Sequence, residues 1–467
     1  MPFRSPFPDI YIPKVDILTY LFPPHTQPSE TPIWIDAKNP KLSLSPAQGL
    51  RWVKRLGYGL QRLGVMKGDV VMIYTPNHVF VPVAYLGIVG AGYAFSGANP
   101  IYTLPGKSLH IFYASFCGEL TFVEMVHQIK NTEAKVMLVH PTMLKTAVAA
   151  AQQAGLPKSR IFQFSDEETQ VVDGVPDWRQ MIGSESEGEQ YSWPKLSPKD
   201  STTTVATINY SSGTTGLPKG VCVSHHNLIA NIEQTIFMRD QQMPYTSQNR
   251  PQERWIGFLP LYHAYGQLYV NLMAVKLNVP VYILKQFVYS DFLQTIQDYK
   301  ITHLHIAPPI LVMLSKRPET KDYNLGSLNY VLCGAAPLSK ELQNDVSRRF
   351  DVQINQGWGM TEVTCGALHV PGGVNDDSGS VGQLDPNTEC MLLDDDGKEV
   401  RTGDPGEIYI RGPQVCLRYW RNEEATKDSI SDEGWLKTGD VAICDDKGYF
   451  WIVDRKKVTI SHNTAVN

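Results

Sequence analysis

The sequence predicts an α/β protein, with two layered subdomains whose helices pack on largely parallel sheets, followed by a smaller β subdomain. Three observations carry this reading. Apolar strand-like runs alternate with helical stretches through residues 70–164 and again through 256–355, the βαβ pattern that builds parallel sheets. After Ser380 the helical stretches stop, and short strand-like runs are divided by Gly, Asp and Pro turns. The 467 residues are enough for two or three domains with large cores.

Taken in order, residues 1–21 mix Pro and Asp with apolar residues, unlike a signal peptide. Strands are expected at 70–74, 135–139 and 161–164, with helices at 81–89 and 143–154. The longest apolar run, residues 79–95, is broken by Pro82 and three glycines, so it reads as a buried helix and a strand rather than a membrane span. Residues 174–200 read as a polar connector. A second block carries strands at 256–259, 279–284, 303–306, 330–333 and 352–355, and the β subdomain carries them at 390–393, 407–411 and 449–453. The expected division is therefore 1–200, 201–379 and 380–453, with a hinge and tail at 454–467.

Composition excludes some partners. A formal net charge of -5 gives no electrostatic reason to expect nucleic acid or an anionic membrane. Seven scattered cysteines (117, 222, 333, 365, 390, 416 and 444) without a C-x-x-C pair read as reduced thiols of an intracellular protein. His303 and His305 alternate along a strand-like run and His225 and His226 are adjacent, so both pairs read as structural rather than metal-ligating.

The strongest chemical signal is Tyr210-Ser211-Ser212-Gly213-Thr214-Thr215-Gly216-Leu217-Pro218-Lys219-Gly220-Val221. Glycines let backbone N–H groups approach a polyanion, four hydroxyls add donors, and Lys219 supplies a point charge for a terminal phosphate. Gly220 stands where the ordinary P-loop has Ser or Thr, which argues against a generic phosphotransferase. A Ser/Thr/Gly surface loop is the plain alternative.

Further stretches follow in order: Phe258-Leu259-Pro260-Leu261-Tyr262-His263-Ala264-Tyr265-Gly266, Gly334-Ala335-Ala336-Pro337-Leu338, Gln356-Gly357-Trp358-Gly359-Met360-Thr361-Glu362, Trp435-Leu436-Lys437-Thr438-Gly439-Asp440 and Val453-Asp454-Arg455-Lys456-Lys457. With the phosphate run, this series resembles the adenylate-forming, acyl-activating enzymes, most closely their coumarate–CoA ligase and luciferase branch, over nearly the whole chain. The resemblance implies ATP, Mg²⁺ and coenzyme A as cofactors and co-substrate, and a small-molecule carboxylate as substrate. It puts His263 beside that carboxylate and lays Gly334, Ala335 and Ala336 along the adenine. Trp358, flanked by Gly357, Gly359 and Met360, would stack on the ring. Thr361 would bond the α-phosphate, Glu362 would hold the metal, Asp440 and Arg455 would reach the ribose, and Asp454 would be the hinge. Without the family, Thr438-Gly439-Asp440 is a turn, Gly334-Ala335-Ala336 a tight turn and His263 a satisfied loop histidine. No aspartate follows the pocket turn to hold an ammonium group, so the expected acid is aryl or fatty acyl.

Two places depart from the family pattern. Eighteen residues, 106–123, separate Ala98-Asn99-Pro100-Ile101-Tyr102-Thr103-Leu104-Pro105 from a helix start expected at Glu124. They are too apolar for a solvated loop, and Gly106-Lys107-Ser108 and Val123-Glu124 can be encoded with splice donor and acceptor sequences, so the stretch reads as a translated intron. A spliced transcript that still encodes it would sink this reading. The chain also stops ten residues after Lys457, so the family's mobile C-terminal α+β domain is expected to be absent, with impaired adenylation as the consequence. Its last residues, Ala465-Val466-Asn467, are not a targeting tripeptide, so the cytoplasm is expected for the chain as written and the peroxisome for a longer form. The alternative functions are a non-catalytic nucleotide- and acyl-binding protein and a mis-spliced product.

Overall fold

Continuous apolar runs become the buried centre of the fold. All five residues of the strand Val70–Tyr74 are buried, as a parallel strand covered on both faces requires. All ten residues of the helix Val81–Gly90 are buried too, and Gly90 admits Leu18, whose Cδ1 would lie 2.1 Å from a Cβ there. The apolar run 79–95 is thus a core helix followed by the strand Ala94–Ala98. Among the described residues no helix is long and apolar enough to cross a membrane. The computed structural model describes residues 2–100, 122–211, 217–243 and 249–456. Residues 106–121 of the insertion, Ser212, Gly213, Thr214, Thr215 and Gly216 of the phosphate run, and the tail from 457 lie outside the described residues. The helix expected to start at Glu124 spans Phe122–Thr132.

Three sheets carry the architecture. The first has seven strands in the order Arg418–Tyr419, Lys219–Ser224, Val205–Ser211, Ala94–Ala98, Val70–Tyr74, Val136–Val139 and Ile161–Gln163, and the last five run parallel. The second has nine, in the order Gln383–Leu384, Leu368–His369, Gln353–Trp358, Tyr330–Cys333, His303–Ile306, Trp255–Gly257, Val281–Ile283, Trp34–Asp36 and Ser43–Leu44, with a parallel run from Gln353–Trp358 to Trp34–Asp36. The third is a five-stranded antiparallel sheet of Phe3–Arg4, Glu389–Leu393, Gly406–Arg411, Leu436–Cys444 and Phe450–Arg455. This is the expected fold class: two α/β layers on largely parallel sheets, and a smaller β unit.

Several sequence expectations need correction. The sheets cross the division at residues 200 and 380. Val205–Ser211 and Lys219–Ser224 complete the first sheet, Trp34–Asp36 joins the second, Phe3–Arg4 joins the third, and Arg418–Tyr419 leaves the β unit to edge the first. Local pattern marks a strand but not its partner, which is chosen by burial elsewhere in the chain. Helices do not vanish after Ser380, since Glu423–Ser429 is helical and Asn422 caps it by accepting from the Ala425 N–H at 2.9 Å. The 174–200 stretch is more than a connector. Val175, Trp178, Met181 and Ile182 are buried, and Gly59 on the helix Pro46–Arg62 admits the Met181 carbonyl, which a Cβ would approach to 2.4 Å. Thr438-Gly439-Asp440 lies inside the nine-residue strand Leu436–Cys444, and Gly439 takes the left-handed φ of 78° that interrupts it.

Candidate active site

Several of the expected site residues stand at the carboxyl ends of strands, where open α/β sheets place their ligands. Ser211 closes Val205–Ser211, Gly334 follows Tyr330–Cys333, Trp358 closes Gln353–Trp358, and the 258–266 turn follows Trp255–Gly257.

At one end of the candidate site, Ser211 and Lys219 are paired across adjacent antiparallel strands. Ser211 Oγ donates to Glu362 Oε1 at 3.0 Å, and Tyr419 Oη donates to the same oxygen at 2.9 Å. Burial and the neighbouring Glu362 carboxylate push the Tyr419 phenol well above its ordinary range, so it remains a donor. Lys219 Nζ lies 5.4 Å from the centre of the Tyr419 ring, within cation–π range. Glu362 sits in the single 3₁₀ turn Thr361–Val363, and its own carbonyl accepts from the Cys416 N–H at 2.8 Å.

At the other end of the same segment, Trp358 Nε1 donates to Asp440 Oδ2 at 2.9 Å, and Arg455 Nε lies 3.4 Å from Asp440 Oδ1. Burial raises the Asp440 pKa, opposed by Arg455 and by the indole hydrogen bond. Gly334 and Gly357 face each other on neighbouring strands, and a Cβ at Gly334 would lie 3.8 Å from both the Gly357 carbonyl oxygen and the Tyr265 ring. Ala335, in a left-handed conformation with φ of 68°, and Ala336 are exposed beside them. Gly359 is required sterically, because a Cβ there would fall 1.7 Å from the Cys365 carbonyl oxygen. Met360 and Thr361 contribute carbonyls to the 3₁₀ turn, accepting from the Val363 and Thr364 N–H groups at 3.1 Å.

His263 opens the short helix Ala264–Gly266 and its Nδ1 accepts from the Tyr265 N–H at 3.4 Å. Desolvation lowers its pKa to about 4, so the imidazole is neutral near pH 7. The turn that holds it is fastened to the first sheet. Asn77 donates to the Leu259 carbonyl at 2.9 Å and accepts from the Leu261 N–H at 3.0 Å, while Gln267 and Asn209 exchange side-chain amide bonds at 2.8 and 3.2 Å. Asp454 lies apart from both clusters, exposed on the edge strand Phe450–Arg455, where its carboxylate accepts from the Arg455 N–H at 2.7 Å.

Below the 258–266 turn the helical stretch continues as the π-helix Gln267–Met273, an irregularity frequent at functional sites. Its Tyr269 helps line a cleft of about 440 Å³, counting its open mouth, together with Thr235, Arg239, His303, His305 and His369. The floor is an ion-pair network. Glu253 accepts from Arg239 Nη2 at 2.5 Å and from Trp255 Nε1 at 2.8 Å, with Arg250 Nη1 at 3.4 Å and His303 Nε2 at 3.6 Å. Burial alone would raise the Glu253 pKa, but Arg239 and His303 hold it at about 2. His303 is pushed down to about 4 by burial, against the pull of Glu253.

Tyr419, Asn77, Asn209 and Gln267 carry no motif, and sequence reasoning missed them; their partners lie far away in the chain. His303 and His305 were expected to be structural, and both reach the cleft.

The AMP-binding enzyme family matches residues 25–420. The chain belongs to that family. A phenylacetyl-CoA ligase of Aspergillus niger is 33% identical over 457 residues, covering 96% of this chain and 79% of that protein. A probable 4-coumarate–CoA ligase of Dictyostelium discoideum is 35% identical over 413 residues, 87% of this chain and 71% of that one. Among solved structures, the long-chain-fatty-acid-CoA ligase of Archaeoglobus fulgidus superposes with a TM-score of 0.80 at 25% identity, over 96% of this chain and 86% of that one. The luciferase-like enzyme of the mealworm Zophobas morio shares the fold, with a TM-score of 0.81 at 20% identity over 98% of this chain and all of that one. As a member of the AMP-binding enzymes, the chain joins relatives named for joining acids to coenzyme A.

Proposed function

We propose that the chain activates a small-molecule carboxylate with ATP and transfers the acyl group to the thiol of coenzyme A. One observation carries the reading. The short run from Trp358 to Glu362 joins the Trp358–Asp440–Arg455 cluster to the Ser211–Glu362–Tyr419–Lys219 cluster, which supports reading the first as a base-and-ribose site and the second as a phosphate site.

In this reading the Trp358 ring, Gly334 and the exposed Ala335 and Ala336 receive the adenine. Asp440 accepts from the ribose hydroxyls, with Arg455 alongside. Ser211, Lys219 and the loop between them hold the phosphates, and Thr361 meets the α-phosphate. Glu362 fits a magnesium ion: it is a buried carboxylate with one oxygen held by two neutral donors, and magnesium bound to ATP commonly uses one or two protein carboxylates with phosphate oxygens. When bound, the ion supplies charge neutralisation on the phosphates. Neutral His263 at the pocket turn orients the carboxylate without drawing it into a salt bridge.

The carboxylate oxygen attacks the α-phosphorus, the bond from that phosphorus to the bridging oxygen breaks, and pyrophosphate leaves with its electron pair. The coenzyme A thiol, giving up its proton, then attacks the acyl carbon and AMP leaves. Lys219 and the hydroxyls act by positioning and electrostatics rather than by proton transfer. Carboxylate-dependent exchange of labelled pyrophosphate into ATP tests the first step, and acyl-CoA formation the second. ATP binding without either exchange or thioester on a panel of aryl and fatty acids would refute the proposal.

A further inference from the structure

The two hydroxyls that meet on Glu362 Oε1 belong to Ser211 and Tyr419, and the chain neighbour of each ends on one residue of a different element. Tyr210, beside Ser211, donates its phenol to Asn131 Oδ1 at 2.5 Å. Trp420, beside Tyr419, donates its indole Nε1 to the Asn131 backbone carbonyl at 3.0 Å. Successive side chains of extended chain point to opposite faces, so Ser211 and Tyr419 turn to Glu362 while Tyr210 and Trp420 turn to the helix Phe122–Thr132.

That helix is a firm support. Its Met125, Val126 and Ile129 are buried, and its Gln128 amide donates to Ser96 Oγ at 3.0 Å and to the Gly97 carbonyl at 3.1 Å. Just past its end, Glu133 accepts from Arg421 Nη1 at 2.5 Å, although this pair is about half exposed and adds little by itself. The aromatic layer between helix and site is close-packed. Trp420 donates its N–H to the Gly220 carbonyl at 2.6 Å, and Gly220 is paired with Tyr210 across the strands. A Cβ on Gly220 would fall 2.7 Å from Ile208 Cγ2, 3.2 Å from Trp420 Cβ and 3.3 Å from the Tyr210 ring. That closeness is a physical reason for glycine where the ordinary P-loop carries Ser or Thr. Tyr210, Gly220 and Trp420 thus form one packed layer behind Ser211, Lys219 and Tyr419, and Asn131 bonds both of its aromatic residues.

Resting on the ligase reading, we propose that Asn131 is a positioning residue for the phosphate end of the site, fixing the spacing of the Ser211 and Tyr419 hydroxyls and with it the orientation of the Glu362 carboxylate. It acts through Tyr210 and Trp420 rather than by touching the nucleotide. A misplacement of about 1 Å in a positioned site can cost about 100-fold, so a single supporting bond has leverage beyond its own strength. The Trp358–Asp440–Arg455 cluster is held by its own contacts, so a change at Asn131 should loosen the grip on the phosphates and spare the grip on base and ribose.

The test is titration calorimetry on the full chain with magnesium-ATP and, separately, with AMP. Asn131→Ala removes the Tyr210 bond and keeps the carbonyl that holds Trp420, and Tyr210→Phe removes the same bond from its other end. Each should weaken magnesium-ATP about tenfold and AMP by less than about twofold. The double variant should lose no more than about twofold beyond either single one, because both changes delete one bond. Asn131→Asp keeps an oxygen acceptor in the same place and should bring magnesium-ATP back to within about threefold of the native affinity. A residue that only stabilised the fold would lower the melting temperature and weaken both nucleotides alike, or neither. If Asn131→Ala fails to fold, the near-isosteric Tyr210→Phe decides. A loss of magnesium-ATP below about threefold in Tyr210→Phe, a matching loss of AMP, additive losses in the double variant, or an Asn131→Asp no better than Asn131→Ala would each overturn the proposal. Failure of the unaltered chain to bind either nucleotide would overturn the ligase reading, and the proposal with it.

Discussion

Replacing Tyr419 with Phe removes one hydroxyl from the proposed phosphate end of the site and leaves the ring. The hydroxyl donates to Glu362 Oε1 at 2.9 Å, Ser211 donates to the same oxygen at 3.0 Å, and Glu362 is 5% exposed. A hydrogen bond to a charged group contributes about 1.5–3 kcal/mol, and because Ser211 remains, the loss should fall near the lower end, about 1.5 kcal/mol. The Phe ring keeps its face toward Lys219, whose Nζ lies 5.4 Å from the native ring centre. If Glu362 holds the metal, a carboxylate with one fixed donor instead of two should weaken magnesium-ATP more than ATP alone. Titration calorimetry should show magnesium-ATP affinity reduced about tenfold, the equivalent of 1.4 kcal/mol, and ATP affinity in a chelator changed by less than about threefold. Tyr419→Leu, which also removes the ring face from Lys219, should weaken ATP in both conditions. Equal losses with and without magnesium in Tyr419→Phe, or no loss in either, would refute the reasoning.

Lys219→Met should reduce ATP affinity about tenfold and leave AMP affinity nearly unchanged, because in the proposed reading the lysine charge serves phosphates that AMP lacks. Asp440→Asn separates function from stability. Burial raises the Asp440 pKa, so its ionised form costs stability once pH rises through that value, and the Asn variant should melt at or above the native temperature near pH 7 while binding AMP more weakly. Gly359→Ala should destabilise the chain by about 2–3 kcal/mol or more in urea denaturation, since its Cβ would sit 1.7 Å from the Cys365 oxygen. His225 and His303 are each lowered to about 4 by burial, so the unfolded chain takes up their protons first as pH falls. Their stabilisation is present above about pH 6.5 and is lost between there and pH 4, by about 2 kcal/mol each on going from pH 7 to 5. His225→Asn should flatten its share of that slope in melts recorded across the range.

Fold class was legible because it depends on local pattern. The buried strand at Val70–Tyr74 and the wholly buried helix Val81–Gly90 announce themselves by apolar continuity, and neither needs a partner to be recognised. Sheet membership was not legible, because Trp34 pairs with Leu44 in its own neighbourhood but also lies against Val281, and nothing local selects the second partner. The site divides in the same way. Trp358 and Glu362 stand in a motif, whereas Tyr419, 57 residues from Glu362, reaches it only because a two-residue strand crosses from the β unit to pair with Cys222 and Val221. Asp440 stands out only through the family resemblance, because Thr438-Gly439-Asp440 by itself has the composition of a turn. Within a long strand the left-handed conformation of Gly439 interrupts the ladder and leaves the carboxylate facing Trp358.

The spacing of the two clusters is itself constrained by the backbone. Trp358 and Glu362 are four residues apart, so their Cα atoms can be separated by no more than about 14 Å even in a fully extended chain. Gly359 allows the segment to pass under Cys365, and the 3₁₀ turn at Thr361–Val363 then draws Glu362 back to the first sheet, where Ser211 and Tyr419 hold it. The second sheet thus supplies Trp358, the first supplies Ser211 and Lys219, and the third supplies Asp440 and Arg455. A shift of any one sheet would open a different face of the site. Hydrogen bonds between the sheets, Asn77 to the Leu259–Leu261 turn and Asn209 to Gln267, therefore bear on nucleotide and acid binding although neither asparagine need touch a ligand. Asn209→Ala should accordingly weaken AMP and acid together, by about three- to tenfold. Loss of acid binding with AMP binding intact in Asn209→Ala would show that the sheets are not coupled in this way.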